Sequence, residues 1–181
     1  MKRKQLVALL QNYRPSCSEE KEFKSRMLAF IAQHENCFER SLTIGHFTAS
    51  AWLLNKDKSK ALLMLHTKLN CWIQLGGHCD GDSNVLAIAI KEAQEESGIN
   101  NIVPVVQGIF DIGIHRIPKN KKEKAHDHYD VRFLLQVVGD EDIIQNRESK
   151  ELRWIGKEKS ELPTDNPSVV RMFEKWQKIE R

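Results

Sequence analysis

Three glutamates, Glu92, Glu95 and Glu96, lie in a stretch that reads as helical from about Asn84 to Ser97. Positions three and four apart share a helix face, so these carboxylates project together within an arc of ~100°. Gly98 supplies a left-handed cap at the end of the helix, and Gly76-Gly77 make the turn that precedes it. Carboxylates this close repel one another and raise one another's pKa unless a positive charge sits among them. A hard divalent cation, Mg²⁺ or Mn²⁺, meets that need through oxygen ligands. The glycines, having no Cβ, let backbone carbonyls approach such an ion. Taken alone, the glutamates also describe an ordinary acidic, solvated face beside Lys91.

The flanking sequence defines what this helix packs into. Short apolar runs at Phe47 to Leu54, Ala61 to His66 and Trp72 to Leu75 read as strands, separated by turn-like stretches such as Asn55 to Ser59. Strands are expected again at Val103 to Ile114, Val131 to Val138 and Leu152 to Ile155. A closing helix is opened by Pro167 and turns Val170, Phe173 and Trp176 inward. Ahead of all this, residues 1–40 read as two helices. Leu6, Leu9 and Leu10 share one face, Pro15 interrupts, and Ser16 with Glu19 fits a capping box before Phe23, Met27, Phe30 and Ile31. Interleaved strands and helices predict an α/β sandwich.

At 181 residues the chain has the size of one domain with a small appendage, and can bury a core without disulfide or zinc staples. The four cysteines (Cys17, Cys37, Cys71, Cys79) contain no C-x-x-C pair and read as free thiols of a reducing compartment. The basic start followed by Leu6 to Leu10 is too short for a secretory core, and no apolar run reaches the ~20 residues that span a bilayer. A cytoplasmic protein without membrane attachment is expected. A net charge of +3 is too weak to indicate nucleic acid, yet does not repel an anionic small molecule.

The spacing from Gly77 to Ile99 resembles the Nudix box, Gly-x5-Glu-x7-Arg-Glu-U-x-Glu-Glu-x-Gly-U, where U is aliphatic. Gly77, Glu92, Glu95, Glu96, Gly98 and Ile99 match, and Ala93 fills an apolar position. Ser83 stands where the first glutamate belongs and Lys91 where the arginine belongs; lysine keeps the charge but loses the bidentate fork. The resemblance implies a Nudix-type α/β/α sandwich with a mixed β-sheet over residues 41–181, with residues 1–40 as an N-terminal helical extension. It implies hydrolysis of a diphosphate linkage in a nucleoside diphosphate derivative or similar small compound, dependent on Mg²⁺ or Mn²⁺. The Gly76 carbonyl with Glu92, Glu95 and Glu96 would hold metal. Gly77, Lys91 and Gly98 would support them. The base would be a box glutamate, Glu95 or Glu92, or a later one, Glu148, with Glu151 competing. The partner is then a small diphosphate substrate, with no nucleic acid or membrane, and a homodimer is open to it.

His126, His128 and Asp130 alternate, so on a strand they share one face, and His78 with Asp80 repeats the spacing in the box loop. His78, His126, His128 and Asp130 are candidates for a second metal site of transition-metal type, or for contacts to substrate phosphate; surface histidines are the plain alternative. The lysines at 119, 121, 122 and 124 read as a solvated run or a mobile loop that attracts anions. Two alternatives share the resemblance. One is a non-catalytic Nudix ligand sensor. The other is an isopentenyl-diphosphate isomerase-like enzyme, whose Cys-Gly-His element falls at Gly76-Gly77-His78 here, with Gly76 in the cysteine's place and Cys79 beyond the histidine.

Overall fold

The computed structural model describes residues 2–119 and 124–179; Lys121 and Lys122 of the lysine run lie outside them. In chain order the elements are α1 (Lys2–Asn12), α2 (Ser18–Gln33), β1 (Gly45–Leu54), β2 (Ala61–His66), β3 (Trp72–Ile73), β4 (Leu75–His78), α3 (Val85–Ser97), β5 (Ile102–Pro104), β6 (Asp111–Ile117), β7 (His126–Val137), β8 (Ser149–Ile155) and α4 (Pro167–Gln177). They form one mixed sheet in which β1 and β7 pair in parallel at the centre. β2 and β4 join β1 antiparallel, β5 and β6 join β7 antiparallel, and β8 continues from β2.

Alternation along the central strands sorts side chains to two faces. Phe47, Ala49, Ala51 and Leu53 of β1 and Val131, Phe133 and Leu135 of β7 face one core, shared with α1, α2 and α3. Trp52 and Leu54 of β1 and Leu134 of β7 face the other, closed by Val169, Met172, Phe173 and Trp176 of α4. This is the α/β/α sandwich with a mixed sheet, and the N-terminal helices are part of its first core: Leu6, Leu10, Met27 and Ile31 are almost fully buried. Phe30 stacks on Tyr129 of β7 with ring centroids 4.1 Å apart.

Several local expectations give way to tertiary demands. No Ser16–Glu19 capping box forms. Helix α2 starts at Ser18 with Cys17 at its cap, and Ser16 donates both its N–H and its hydroxyl to Glu20, each at 2.8 Å. Glu20 is buried and must gather donors, which outweighs a local cap. The strand expected at Val103 to Ile114 divides into β5 and β6, both on β7, with residues 105–110 looping out between Val105 N–H to Leu134 O and Phe110 N–H to Arg132 O. The run Trp72 to Leu75 divides at Gln74, whose amide turns to Asp130 at 3.2 Å. In α4, Val169 is buried where Val170 was expected.

A buried charge network ties the extension to the sheet. Arg132 and Asp111 are wholly inaccessible and pair at 2.6 Å. Arg171 and Lys175 of α4 join Asp111 at 3.0 and 2.6 Å, and both reach Glu20 of α2. Tyr13 donates to Glu20 at 2.8 Å and accepts from Lys175 at the same distance. Burial works to raise both carboxyls, but Lys175, Ser16 and Tyr13 around Glu20, and Arg132, Arg171 and Lys175 around Asp111, hold each below its ordinary value.

Removing one member of such a network strands the rest. Glu20→Ala should cost about 3 kcal/mol in urea unfolding at pH 7. Because the folded-state value is depressed, the glutamate's contribution is complete at neutral pH and fades as pH falls. The gap between wild type and variant should therefore narrow below about 4.5, the ordinary glutamate value.

Candidate functional site

The even-numbered residues of β1 and β7 change character along their length. Trp52, Leu54 and Leu134 are core, whereas His46, Thr48, Ser50, His128, Asp130 and Arg132 are polar and occupy the other end of the same face. The parallel register sets His46 beside His128, Thr48 beside Asp130 and Ser50 beside Arg132. Strand β4 closes on β1 with Gly76 opposite Ser50 and His78 opposite Thr48. The result is a cleft of about 480 Å³, floored by this polar half-sheet and walled by α3.

Gly76 is irreplaceable at this crossing. Its φ is +156°, and a Cβ there would run into Ser50 and the Ala49 carbonyl. Its N–H donates to Glu96 Oε2 at 2.8 Å. A Cβ on Gly77 would strike the Glu92 carboxylate, so the missing side chain is what lets Glu92 lie against the turn. At the other end of α3, Gly98 takes φ 77° and donates to the Gln94 carbonyl, ending the helix one residue after its last carboxylate turn.

The glutamates are graded in depth. Glu96 is buried, Glu92 is largely covered and Glu95 is exposed. Burial raises Glu96 to about 8; the Gly76 N–H pulls against this, while Glu92, Glu148 and Glu95 add to it. Burial likewise raises Glu92, opposed by Lys91. Lys91 reaches Glu95 at 3.2 Å and Glu92 at 3.4 Å, so it stands over two of the three carboxylates. Glu148 lines the cleft with Glu92 and Glu96, on a loop held to α3 by Asn146, which donates to the Glu95 carbonyl at 3.0 Å and accepts from the Glu148 N–H. Glu151 is instead paired with Arg153 on the exposed side of β8. Ser83 lines a separate hollow beside α1, and Asp82 accepts from the Asn84 N–H at the start of α3.

This donor set fits a hard divalent ion: Glu92, Glu96 and Glu148 line one cleft, and the charges acting on the buried Glu96 are other carboxylates, Glu92, Glu148 and Glu95. Across the floor, Asp130 accepts from Ser50, Thr48, Arg132 and Gln74. It is thereby committed to holding the sheet's polar face. His78 and His128 line the cleft, and His126 lies beside His128, with Nε2 to Nε2 at 3.1 Å. His46 completes the group. It carried no motif, and its one signal is its place in the even-numbered alternation of β1. Burial and the neighbouring rings lower His46 to about 4 and His128 to about 3. Cys79, next to His78, is buried in the first core, and burial pushes its thiol far up.

A family model for the NUDIX domain matches residues 45–176. The chain belongs to the Nudix family. Among solved structures, a Nudix-family hydrolase from Clostridium perfringens is 27% identical, with a TM-score of 0.54, covering 75% of this chain and 98% of that one. An Ap4A hydrolase from C. elegans, in a binary complex, is 17% identical with a TM-score of 0.53, covering 72% and 93%. The E. coli dihydroneopterin triphosphate pyrophosphohydrolase is 13% identical with a TM-score of 0.53, covering 71% and 92%. These last two share the fold. No curated protein matches the chain. Among the described residues, no helix is long and apolar enough to cross a membrane.

The buried Nudix-box glutamate should behave as a site kept for function at the expense of stability. In metal-free protein, Glu96→Gln removes a carboxyl whose folded value, about 8, lies above its ordinary 4.5. A raised acid loses stability as pH climbs between those values. The variant should therefore match wild type near pH 4 and exceed it by roughly 2–5 kcal/mol at pH 9. Thermal unfolding in chelator across that range is the check.

Proposed function

We propose that this Nudix protein is a divalent-metal-dependent pyrophosphohydrolase that cleaves the diphosphate linkage of a nucleoside diphosphate derivative or similar small compound. The observation that carries the reading is that Glu92, Glu96 and Glu148 line one cleft with Glu95 on the exposed side of the same helix turn, and that burial, added to by these neighbours, raises the deepest of them, Glu96. Mg²⁺ or Mn²⁺ held by Glu92, Glu95, Glu96 and the Gly76 carbonyl would polarise a phosphoryl oxygen and supply an activated water.

The chain's own residues do the rest. Lys91 holds Glu92 and Glu95 in a shared orientation. It stands in for the family's arginine as a point charge rather than a fork. Glu148, which lines the cleft on a loop that Asn146 ties to α3, would accept a proton from the attacking water. Arg132, neutralised by Asp111 and Asp130, is a rigid part of the floor rather than a free phosphate clamp. The isomerase-like alternative loses support because Cys79 is buried in the core and Gly76 stands where the isomerase has its cysteine; the thiol that lines the cleft, Cys71, comes instead from the turn before β3. The free cysteines agree with a reducing, cytoplasmic setting.

Purified protein with Mg²⁺ or Mn²⁺ should release nucleoside monophosphate or phosphate from at least one member of a panel of diphosphate compounds. Tight binding of a panel member without turnover would favour the ligand sensor. Glu95→Gln and Glu96→Gln should each lower turnover ~10²-fold or more at saturating Mg²⁺. Activity within a few-fold of wild type would overturn the assignment. Lys91→Arg restores a guanidinium able to hold two carboxylate oxygens, and its steady-state rate should equal or exceed wild type.

A further inference from the structure

Beside the glutamates, four histidines gather from three strands: His46 from β1, His78 from β4, and His126 and His128 from β7. Ring centroids lie 4.8 Å apart for His46 and His128, 5.2 Å for His46 and His78, and 4.9 Å for His78 and His128. One ring nitrogen from each of His46, His78 and His128 lies within 4.8 Å of the others. Packing does not account for this group. His46 is 3% exposed, and neither of its ring nitrogens has a hydrogen-bond partner. The Leu42 carbonyl acts on the ring without forming a bond of acceptable geometry. A buried imidazole left so carries an uncompensated desolvation cost, and an ion is one of the few things that removes it.

We propose that His46, His78 and His128 form a tris-imidazole site for a transition-metal ion, zinc foremost, separate in donor chemistry from the carboxylates of α3. Imidazole nitrogens suit zinc, cobalt or nickel, whereas carboxylates suit magnesium. Zinc–nitrogen bonds of ~2.0–2.1 Å in a tetrahedron set the nitrogens about 3.3 Å apart. His78 and His128 are half-buried at the cleft and can close that gap by side-chain rotation, while His46 is held in place.

His126 acts one step back from the metal. Its Nδ1 meets the Lys124 carbonyl at 2.8 Å, and a carbonyl only accepts, so Nδ1 carries the proton. The neutral ring then offers Nε2 as acceptor, and the Nε2–H of His128 donates to it at 3.1 Å. His128 Nδ1 is left with its lone pair, in the tautomer a metal requires. Asp130 takes no part, since its oxygens already accept from four side chains. Because His78 and His128 line the cleft with Glu92 and Glu96, the remaining coordination position opens there, to water or to an anionic oxygen of the substrate.

The test uses untagged full-length protein and metal alone, so its outcome is independent of whether the protein hydrolyses anything. Protein stripped with chelator, loaded with Zn²⁺ and dialysed against Mg²⁺ should retain one zinc per chain by elemental analysis. Co²⁺ in its place should give visible absorption of low-symmetry nitrogen coordination. His128→Gln and His46→Leu, each folded by circular dichroism, should weaken Co²⁺ binding more than ~100-fold, and His126→Ala by ~10–100-fold. Glu95→Gln should retain the zinc. If His46→Leu fails to fold, His128→Gln decides alone. Wild-type protein that holds no zinc after dialysis, or a folded His128→Gln that holds a full equivalent, would overturn the site. So would zinc lost from Glu95→Gln but kept by the histidine variants.

Discussion

Strands β1 and β7 run in parallel through ten paired positions, from Gly45 beside Asp127 to Leu54 beside Gln136, and the groups of the cleft floor stand where that register puts them. A slip of one residue would send His46, Thr48 and Ser50 into the apolar layer under α3 and bring Phe47 and Ala49 to the cleft. The slip is prevented at both ends. Trp52 and Leu134 are locked against α4, and Phe47 is packed among Phe30, Phe38 and Tyr129. One face of two strands thus serves as core at one end and as polar floor at the other.

The polar half is held by charge rather than by packing. Arg132 sits between Asp111 and Asp130 with no exposure, and Asp111 passes the connection through Arg171 and Lys175 to Glu20 of the N-terminal helices. Buried pairs of this kind add little net stability relative to apolar residues of the same size, but they are costly to break and tolerate few alternative arrangements. The N-terminal helices therefore do more than cover the sheet. Through Glu20 they share Arg171 and Lys175 with Asp111, the partner of the arginine that holds Asp130 in the cleft.

The cleft combines two donor sets that would compete for different ions. The carboxylates of α3 are graded from buried Glu96 to exposed Glu95, with Lys91 spanning the outer two. The imidazoles of β1, β4 and β7 lie beside them without a carboxylate in their group. Hard and borderline ions sort between such sets by ligand type.

Much of this was readable along the chain. The spacing of Glu92, Glu95, Glu96 and Gly98 depends only on helical periodicity and a left-handed cap, both local properties, so helix α3 and its acidic face followed from the sequence, as did the order of strands and helices and the family. The alternation of His126, His128 and Asp130 likewise placed them on one strand face. Which groups meet across the fold was not local. His46 carries no motif and joins His78 and His128 only through the β1–β7 and β1–β4 pairings. Asp130, which looked like a ligand, is consumed by donors that arrive from β1, from the break after β3 and from its own strand. Ser16 abandoned its cap for a buried Glu20 whose cationic partners, Arg171 and Lys175, lie more than 150 residues away. Short-range spacing decided what each segment is; burial and long-range pairing, which no window of sequence contains, decided what each polar side chain is for.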